Sequence, residues 1–182
     1  MKMSSIKKIQ QKIGRLTLKK ELKQLKRDVR AYSIEKATTI GVIYNATNRN
    51  DADTVKKFIH YLREERKDVL SIGYINFKDS TDIVKPHLNY VFFDNKNLSK
   101  RLIPRGIDVK NFMEKPYSIL IDLTIEDSFP IEYITTLSQA KFKVGAKGTY
   151  RDSVCDLVID IDQNKTMEYL IIQIKHYLKM IK

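Results

Sequence analysis

The sequence predicts an α/β fold in which a mostly parallel sheet lies between two layers of helices, with a basic helical arm in front of it. β-rich segments alternate with helix-like segments after residue 37, and several strand segments are apolar throughout. Such strands are buried on both faces, as in a parallel sheet covered by helices. Residues 1–36 hold 12 Lys and Arg against 3 acidic residues, whereas the other 146 residues hold 22 against 19. We therefore expect an arm at residues 1–36 and a single α/β domain at residues 37–182.

The composition excludes several classes of protein. The chain has 182 residues, 42% of them hydrophobic, which suits one domain with an appendage. It contains no run of about 18 apolar residues, so no transmembrane helix is expected. No apolar block follows Lys2, so we expect no secretory signal. The single cysteine, Cys155, excludes an internal disulfide. These features predict a soluble cytoplasmic protein.

The arm is predicted to be helical because residues 4–35 contain one glycine, no proline and many good helix formers. A first apolar stripe, with steps of three and four residues, consists of Ile6, Ile9, Ile13 and Leu16. A second stripe consists of Leu18, Leu22, Leu25, Val29 and Tyr32. The first stripe ends at Leu16 and the second begins at Leu18, only two residues later, so the two stripes lie on different faces of a continuous helix. The arm is therefore either two helices bent near Gly14–Thr17 or one helix whose apolar face shifts around its axis.

Basic residues fill the other faces of the arm and form the candidate surface for a partner. They are Lys7, Lys8, Lys12, Arg15, Lys19, Lys20, Lys23, Lys26, Arg27 and Arg30. A basic amphipathic helix can dock on its own domain, pair with a second copy as a short coiled coil, contact nucleic-acid phosphates, or lie on an anionic membrane. The arm has no Trp or Phe, which disfavours the membrane.

The domain is predicted element by element from its apolar segments. Segments rich in β-branched and aromatic residues predict strands at residues 39–45, 69–77, 90–93, 118–123, 142–144 and 156–161. Apolar residues on one helical face predict helices at residues 51–66, 109–113, 130–138 and 166–181. Asn50 or Asp51 fits the cap of the first of these helices, and Pro130 fits the first turn of the third. Right-handed crossovers then give a three-layer Rossmann-like sandwich.

Several segments together carry a resemblance that covers nearly the whole chain. They are the Lys-rich N-terminal helix and residues 39–47, 117–124, 129–134, 138–145, 156–161 and 164–170. In these segments the chain resembles an uncharacterised family of short proteins from Bacteroidetes, a domain of unknown function. The resemblance implies a cytoplasmic bacterial protein and brings no known activity. Residues 117–145 also resemble part of the N-terminal half of heptosyltransferases, which implies a shared architecture and not catalysis.

The sequence contains no signature of a cofactor or metal site. The turn after the first strand, residues 45–51, has no glycine, so sites for NAD, FAD or Walker-type ATP binding are not expected. His60, His87 and His176 are far apart and only one cysteine is present, so no spacing suits zinc. We expect no cofactor and no metal, and we interpret Cys155 as a packed thiol.

Polar residues at predicted strand ends form the candidate ligand site: Asn45, Thr47, Asn48, Asp122, Thr124 and Asp160. Ligands of open α/β sheets bind at the carboxyl edge of the strands. Asp122 and Asp160, if brought together there, could hold Mg²⁺ or share a proton. The alternative is that each carboxylate accepts hydrogen bonds from its own loop, and that the polar turn after the first strand only caps a helix. The basic segment 145–151 is expected near the same edge.

Our leading hypothesis is a non-enzymatic cytoplasmic binding protein whose arm contacts an acidic partner, such as RNA or a ribonucleoprotein. The uneven charge motivates it, because phosphate contacts are made by clustered Lys and Arg. The alternative is a small ligand-binding or enzymatic Rossmann-like domain with an anionic or nucleotide-sugar-like ligand at the strand ends. A third possibility is a homodimer formed through the arm.

Overall fold

A computed structural model of the protein describes residues 5–76 and 90–181. Its strands are β1 Thr39–Asn45, β2 Asp68–Ile75, β3 Tyr90–Asp94, β4 Ile119–Asp122, β5 Phe142–Ala146 and β6 Leu157–Ile159. Its helices are α1 Ser5–Leu22, α2 Arg49–Glu64, α3 Ile107–Glu114, α4 Phe129–Leu137, α5 Arg151–Val154 and α6 Met167–Met180. A 3₁₀ turn covers Asn95–Asn97. The six strands are all parallel, in the order β3-β2-β1-β4-β5-β6.

Helices cover both faces of this sheet. On one face, α2 and α6 bury side chains such as Ile59 and Ile174 against Val42 of β1. On the other face, α3 and α4 bury side chains such as Phe112 and Ile131 in a second cluster. The predicted three-layer α/β sandwich with a parallel sheet is therefore confirmed, and the strand order is that of a Rossmann-like fold. Within the described residues, no helix is both long and apolar enough to cross a membrane.

The predicted strands and domain helices exist with small shifts in their ends. α2 begins two residues earlier than expected, because Asn48 caps it: its side chain accepts a hydrogen bond from the Asn50 backbone N–H at 2.9 Å. β5 continues past Gly145 to Ala146, and the four-residue α5 was not predicted. The end of the second predicted strand, Phe77, lies outside the described residues, as does His87.

The helical prediction for the arm is wrong beyond Leu22. α1 is continuous across Gly14–Thr17, so neither the bend nor a second helix is present, and residues 25–33 have no regular structure. Long-range backbone hydrogen bonds hold this part of the chain instead: the backbone N–H of Arg30 donates to the Lys141 carbonyl, and that of Ile34, just after the segment, donates to the Leu178 carbonyl, each at 3.1 Å. The chain thereby passes the amino end of β5 and reaches α6 before it enters β1.

α1 packs on α4 through a narrow strip of its surface. Leu18 is buried in a cluster with Phe129 and Tyr133 of α4. A Cβ on Gly14 would lie 2.3 Å from the Arg101 carbonyl oxygen and 2.6 Å from the Phe129 ring. Glycine normally costs about 1 kcal/mol in a helix. Here its lack of a side chain is what permits α1 to approach α4 and the Arg101 loop so closely.

Candidate functional site

One face of α1 carries a row of cations that faces solvent. Lys8, Lys12, Arg15 and Lys19 are all exposed and lie four, three and four residues apart, so they share one side of the helix. Together with Gln11 and Leu16 they line a shallow groove along α1. At a rise of about 1.5 Å per residue, the row is about 16 Å long. We call these four residues the basic stripe.

Most of the basic stripe has no acidic partner among the residues that the structure describes. Within residues 5–76 and 90–181, the structure gives no ion pair to Lys8, Lys12 or Lys19. Arg15 is the exception, since its Nη2 donates to Oε2 of the buried Glu132 on α4 at 2.8 Å. Arg15 thus joins α1 to the domain, while the three lysines extend into solvent.

The other cations of the predicted arm surface divide into two groups. Lys7, Lys20, Lys23 and Lys26 are exposed. Arg27 instead pairs with Asp156, and its side chain is only 14% exposed. Arg30 pairs with its neighbour Asp28 at 3.2 Å on the surface. Arg27 therefore anchors the segment after α1 to the sheet, a role that the sequence pattern did not reveal.

The apolar stripe predicted from Ile6, Ile9, Ile13 and Leu16 is not buried in the chain. These side chains are between 43% and 70% exposed. They lie beside the basic stripe and away from the docked strip of Gly14 and Leu18. Docking on its own domain was one of the four alternatives for the arm, and this stripe does not dock in that way. The strip that packs is instead that of Gly14 and Leu18, where glycine allows close contact.

A short loop, residues 98–105, touches α1 and adds three more cations. The loop is closed by a bridge between Leu98 and Pro104, and the Ser99 hydroxyl accepts hydrogen bonds from two backbone N–H groups at 3.1 Å. Lys100, Arg101 and Arg105 are exposed. With Ser99 and Ile103 they line a cavity of about 480 Å³.

At the carboxyl edge of the sheet, Asp122 is the centre of a buried hydrogen-bond network. Asp122 is fully buried and accepts hydrogen bonds from Thr124, Thr135 and Tyr150. Burial, and next the charge of Asp122, raise the pKa of Tyr150 well above its ordinary value. The Tyr150 hydroxyl therefore stays protonated and donates to the carboxylate.

Arg151 completes this network from α5. Its side chain is 1% exposed, and its guanidinium donates to the Ala146 carbonyl at 2.8 Å and to the Thr124 hydroxyl at 3.0 Å. It also pairs with Asp127 at 3.4 Å. A buried carboxylate and a buried guanidinium thus lie on either side of Thr124, and each has its polar atoms engaged within the domain. The basic segment 145–151 was expected near this edge, and its arginine is buried there.

The remaining strand-end candidates make local hydrogen bonds. The side chain of Asn45 accepts from the Thr47 backbone at 3.0 Å, and the Thr47 hydroxyl accepts from the Asn76 backbone at 2.9 Å. Asn48 caps α2. In the sheet, Ile43 of β1 pairs with Asp122 of β4. The polar residues that follow β1 and Asp122 therefore lie at the ends of neighbouring strands, at the point where the strand order reverses. That they bind a ligand stays a prediction.

Asp160 lies apart from Asp122. It follows β6, which β5 separates from β4, and it is exposed. Its carboxylate accepts from the Asp162 backbone at 2.9 Å and from Lys147 at 3.0 Å. The two aspartates share no hydrogen-bond partner in the described residues. No group of three or more His, Cys, Asp or Glu in that part of the chain could hold a metal ion.

Asp122 and Thr124 were predicted from the sequence, and segment 145–151 was expected near them, but Thr135 and the hydrogen bonds of Tyr150 and Arg151 were not. Thr135, Tyr150 and Arg151 come from α4 and from the short segment after β5, up to 29 residues further along the chain. The only feature of the sequence that points to Arg151 is its charge, which follows a turn that contains glycine. Cys155 is half-buried, and burial raises its pKa to about 12, which agrees with a packed thiol.

The comparison with known protein families places the chain in one of them. No curated protein matches the chain. A model of a family of unknown function, DUF6913, matches residues 10–181. The match begins inside α1 and continues through all six strands to the end of α6. With nearly the whole chain matched, the protein belongs to the DUF6913 family.

Proposed function

We propose that the protein is a non-enzymatic cytoplasmic protein that binds RNA, or the RNA of a ribonucleoprotein, through α1. The observation that carries this proposal is the basic stripe, in which Lys8, Lys12 and Lys19 are exposed and have no ion pair within the described residues. The helix itself is held by Gly14 and Leu18, so the cations stand on a fixed support.

A fixed row of cations favours a polyanion over a single small anion. Each lysine that contacts a phosphate releases a condensed counterion, which supplies most of the affinity of such complexes. The chain contains no Trp, and Tyr177 on α6 is the only aromatic residue among the large hydrophobic side chains exposed in the described part of the chain. Without aromatic side chains for base stacking, the stripe suits the phosphate backbone and not the bases. We therefore expect binding that is independent of sequence and stronger for a duplex than for a single strand.

The test is the salt dependence of binding by the full chain. Fluorescence anisotropy of a labelled RNA duplex of about 20 base pairs gives the affinity at several KCl concentrations. We expect the combined variant Lys8→Gln, Lys12→Gln, Lys19→Gln to lower the slope of log K against log salt by about 2 to 3, since each phosphate contact contributes about 0.9.

A matched control removes the same charge from the opposite face of the sheet. Lys56 and Lys57 on α2 and Lys179 on α6 are exposed, so their combined change to Gln keeps the total charge equal to that of the first variant. We expect this control to keep the wild-type slope. Equal slopes for both variants, or no binding by the wild type at low salt, would contradict the proposal.

The exposed apolar stripe supports a second candidate function, the contact between two copies of the chain. Ile6, Ile9, Ile13 and Leu16 lie at the spacing of a helix–helix seam and are uncovered. A dimer formed through them leaves the neighbouring basic stripe accessible. Sedimentation equilibrium of the wild type and of Ile9→Gln, Ile13→Gln tests this, with a concentration-dependent dimer expected only for the wild type. A wild type that stays monomeric at high concentration would contradict the proposed dimer.

A further inference from the structure

We propose that the loop at residues 98–105 is a second phosphate-binding site, which takes a neighbouring part of the same RNA backbone that contacts the basic stripe. Lys100, Arg101 and Arg105 supply the charge, and the cavity that they line with Ser99 supplies the space. This inference rests on the proposed function and extends its surface beyond α1.

The loop is well ordered by its own hydrogen bonds. The Ser99 backbone donates to the Ile103 carbonyl at 2.9 Å, and the Arg105 backbone donates to the Asn97 carbonyl at 2.8 Å. Leu102 takes a left-handed conformation with φ of 58°, which turns the chain at the tip. A loop held in this way loses little conformational freedom when it binds a ligand.

Apolar contacts fix the loop against α1 and leave its cations outside. Leu102 and Ile103 pack against the cluster of Leu18, Phe129 and Tyr133. Lys100, Arg101 and Arg105 are exposed and have no ion pair in the described residues. The loop thus packs through its apolar residues and exposes its cations, as α1 does with its small apolar strip and its lysines.

The two basic surfaces are adjacent because the backbones touch. The Arg101 carbonyl oxygen lies against Gly14, at a distance that a Cβ could not tolerate. Gly14 lies between Lys12 and Arg15 along the helix axis but on the docked face of α1, so the loop meets α1 level with the middle of the basic stripe and around the helix from it. Because α1 with its side chains is only about 10–12 Å across, a polyanion that extends from the stripe around the helix would reach the loop cations.

The residue types in the loop suit phosphodiester groups. Arginine presents a planar fork of N–H donors that matches two phosphate oxygens, and two of the three loop cations are arginines. A hydroxyl beside them, that of Ser99, is already used by the loop backbone. The site therefore supplies charge and shape, and no groups that read bases.

The experiment compares full-length variants on the same labelled RNA duplex used above. We expect Lys100→Gln, Arg101→Gln, Arg105→Gln to weaken binding by about tenfold or more at moderate salt and to lower the salt slope by about 2 to 3. The control with Lys56, Lys57 and Lys179 changed to Gln should retain wild-type binding. Thermal melts of all variants check that they are folded. If the triple variant is unstable, the single variant Lys100→Glu replaces it in the binding measurement.

The outcomes separate this inference from the function on which it rests. If the wild type binds RNA and the loop variant binds as tightly as the control, the loop site is wrong and the proposed function stands. If the wild type binds no RNA, the proposed function fails first. If inorganic phosphate saturates the loop in an NMR titration while RNA affinity does not depend on the loop cations, the site takes a small anion and our assignment is overturned.

Discussion

The basic stripe of α1 and the network around Asp122 both concentrate charged side chains, but they satisfy that charge in opposite ways. Asp122 is fully buried and accepts hydrogen bonds from three side chains of its own domain. Lys8, Lys12 and Lys19 are exposed, and the described part of the chain provides them with no acidic partner. A buried charge has to be compensated inside the protein, whereas an exposed charge is compensated by water and counterions and stays accessible to a polyanion. Whether charges are paired inside the protein, and not how many there are, distinguishes the network around Asp122 from the surface that we propose to bind RNA.

The largest expected effect comes from breaking the buried network. Asp122→Ala removes the acceptor for Thr135 and Tyr150 and leaves the buried Arg151 with only the partly exposed Asp127 as a nearby carboxylate. We expect the free energy of unfolding to fall by about 3 to 5 kcal/mol, measured by urea denaturation.

Asp160→Asn is the matched control for that change. Asp160 is exposed, so we expect the urea midpoint to stay close to that of the wild type. Equal losses in the two variants would contradict the contrast between a supporting carboxylate and a surface carboxylate.

The second prediction concerns the support under the basic stripe. Gly14→Ala should improve the intrinsic helix propensity of α1, but its Cβ would collide with the Arg101 carbonyl and the Phe129 ring. We expect a net loss of about 1 to 3 kcal/mol and faster amide exchange in α1, measured by hydrogen–deuterium exchange. Lys20→Ala, on an exposed position of the same helix, is the control. A gain in stability from Gly14→Ala would show that α1 is not docked in this way.

The third prediction concerns Lys143, a lysine that is buried, unlike those of the stripe. Its side chain is 1% exposed, and its Nζ donates to the Thr136 carbonyl at 2.8 Å. Burial, and next the charge of Arg27, lower the pKa of Lys143 to about 7 from 10.5. Above about pH 7 the unfolded chain binds more protons at this residue than the folded one does, so the free energy of unfolding should rise with pH.

The measurement is urea denaturation of the wild type and of Lys143→Met from about pH 7 to about pH 8.5, below the range in which tyrosines titrate. Lys143 should contribute a slope approaching 1.4 kcal/mol per pH unit, and Lys143→Met should lack it. Parallel curves for the two proteins would mean that Lys143 keeps its proton in the folded state.

The smallest expected effect on stability is that of the stripe itself. Changing Lys8, Lys12 and Lys19 to Gln removes no hydrogen bond or ion pair present among the described residues. We expect the urea midpoint to stay close to that of the wild type while RNA binding weakens. A large loss of stability would instead mean that these lysines stabilise the folded protein.

The architecture was predictable because buried parallel strands leave an apolar signal in the sequence. Residues 119–122 are such a strand, whereas the edge strand 157–159 is apolar but fully buried only at Ile159; both were expected with slightly longer bounds. The end of α1 was not predictable, since Leu25, Val29 and Tyr32 continue a helical spacing. Contacts between Arg27 and Asp156, and between Arg30 and Lys141, override that local pattern.

The candidate site was predictable only in part, for a related reason. The excess of cations in the arm is visible in the sequence, but which of them are engaged depends on distant acids such as Glu132 and Asp156. The loop cations Lys100 and Arg101 gave no signal, because their relevance arises from contact with Gly14. Contacts between residues distant in sequence, and not local composition, therefore determine which arm cations are paired and which loop cations lie near α1.

The central claim is that the exposed cations of α1 contact RNA, while exposed lysines on the opposite face of the sheet do not. Chemical acetylation of lysines in the full chain, with and without an RNA duplex and followed by mass spectrometry, tests it most directly. We predict that RNA protects Lys8, Lys12 and Lys19, that Lys56, Lys57 and Lys179 react as before, and that the buried Lys143 is unreactive in both samples. Protection confined to the lysines of α2 and α6, or spread equally over all exposed lysines, would contradict the account.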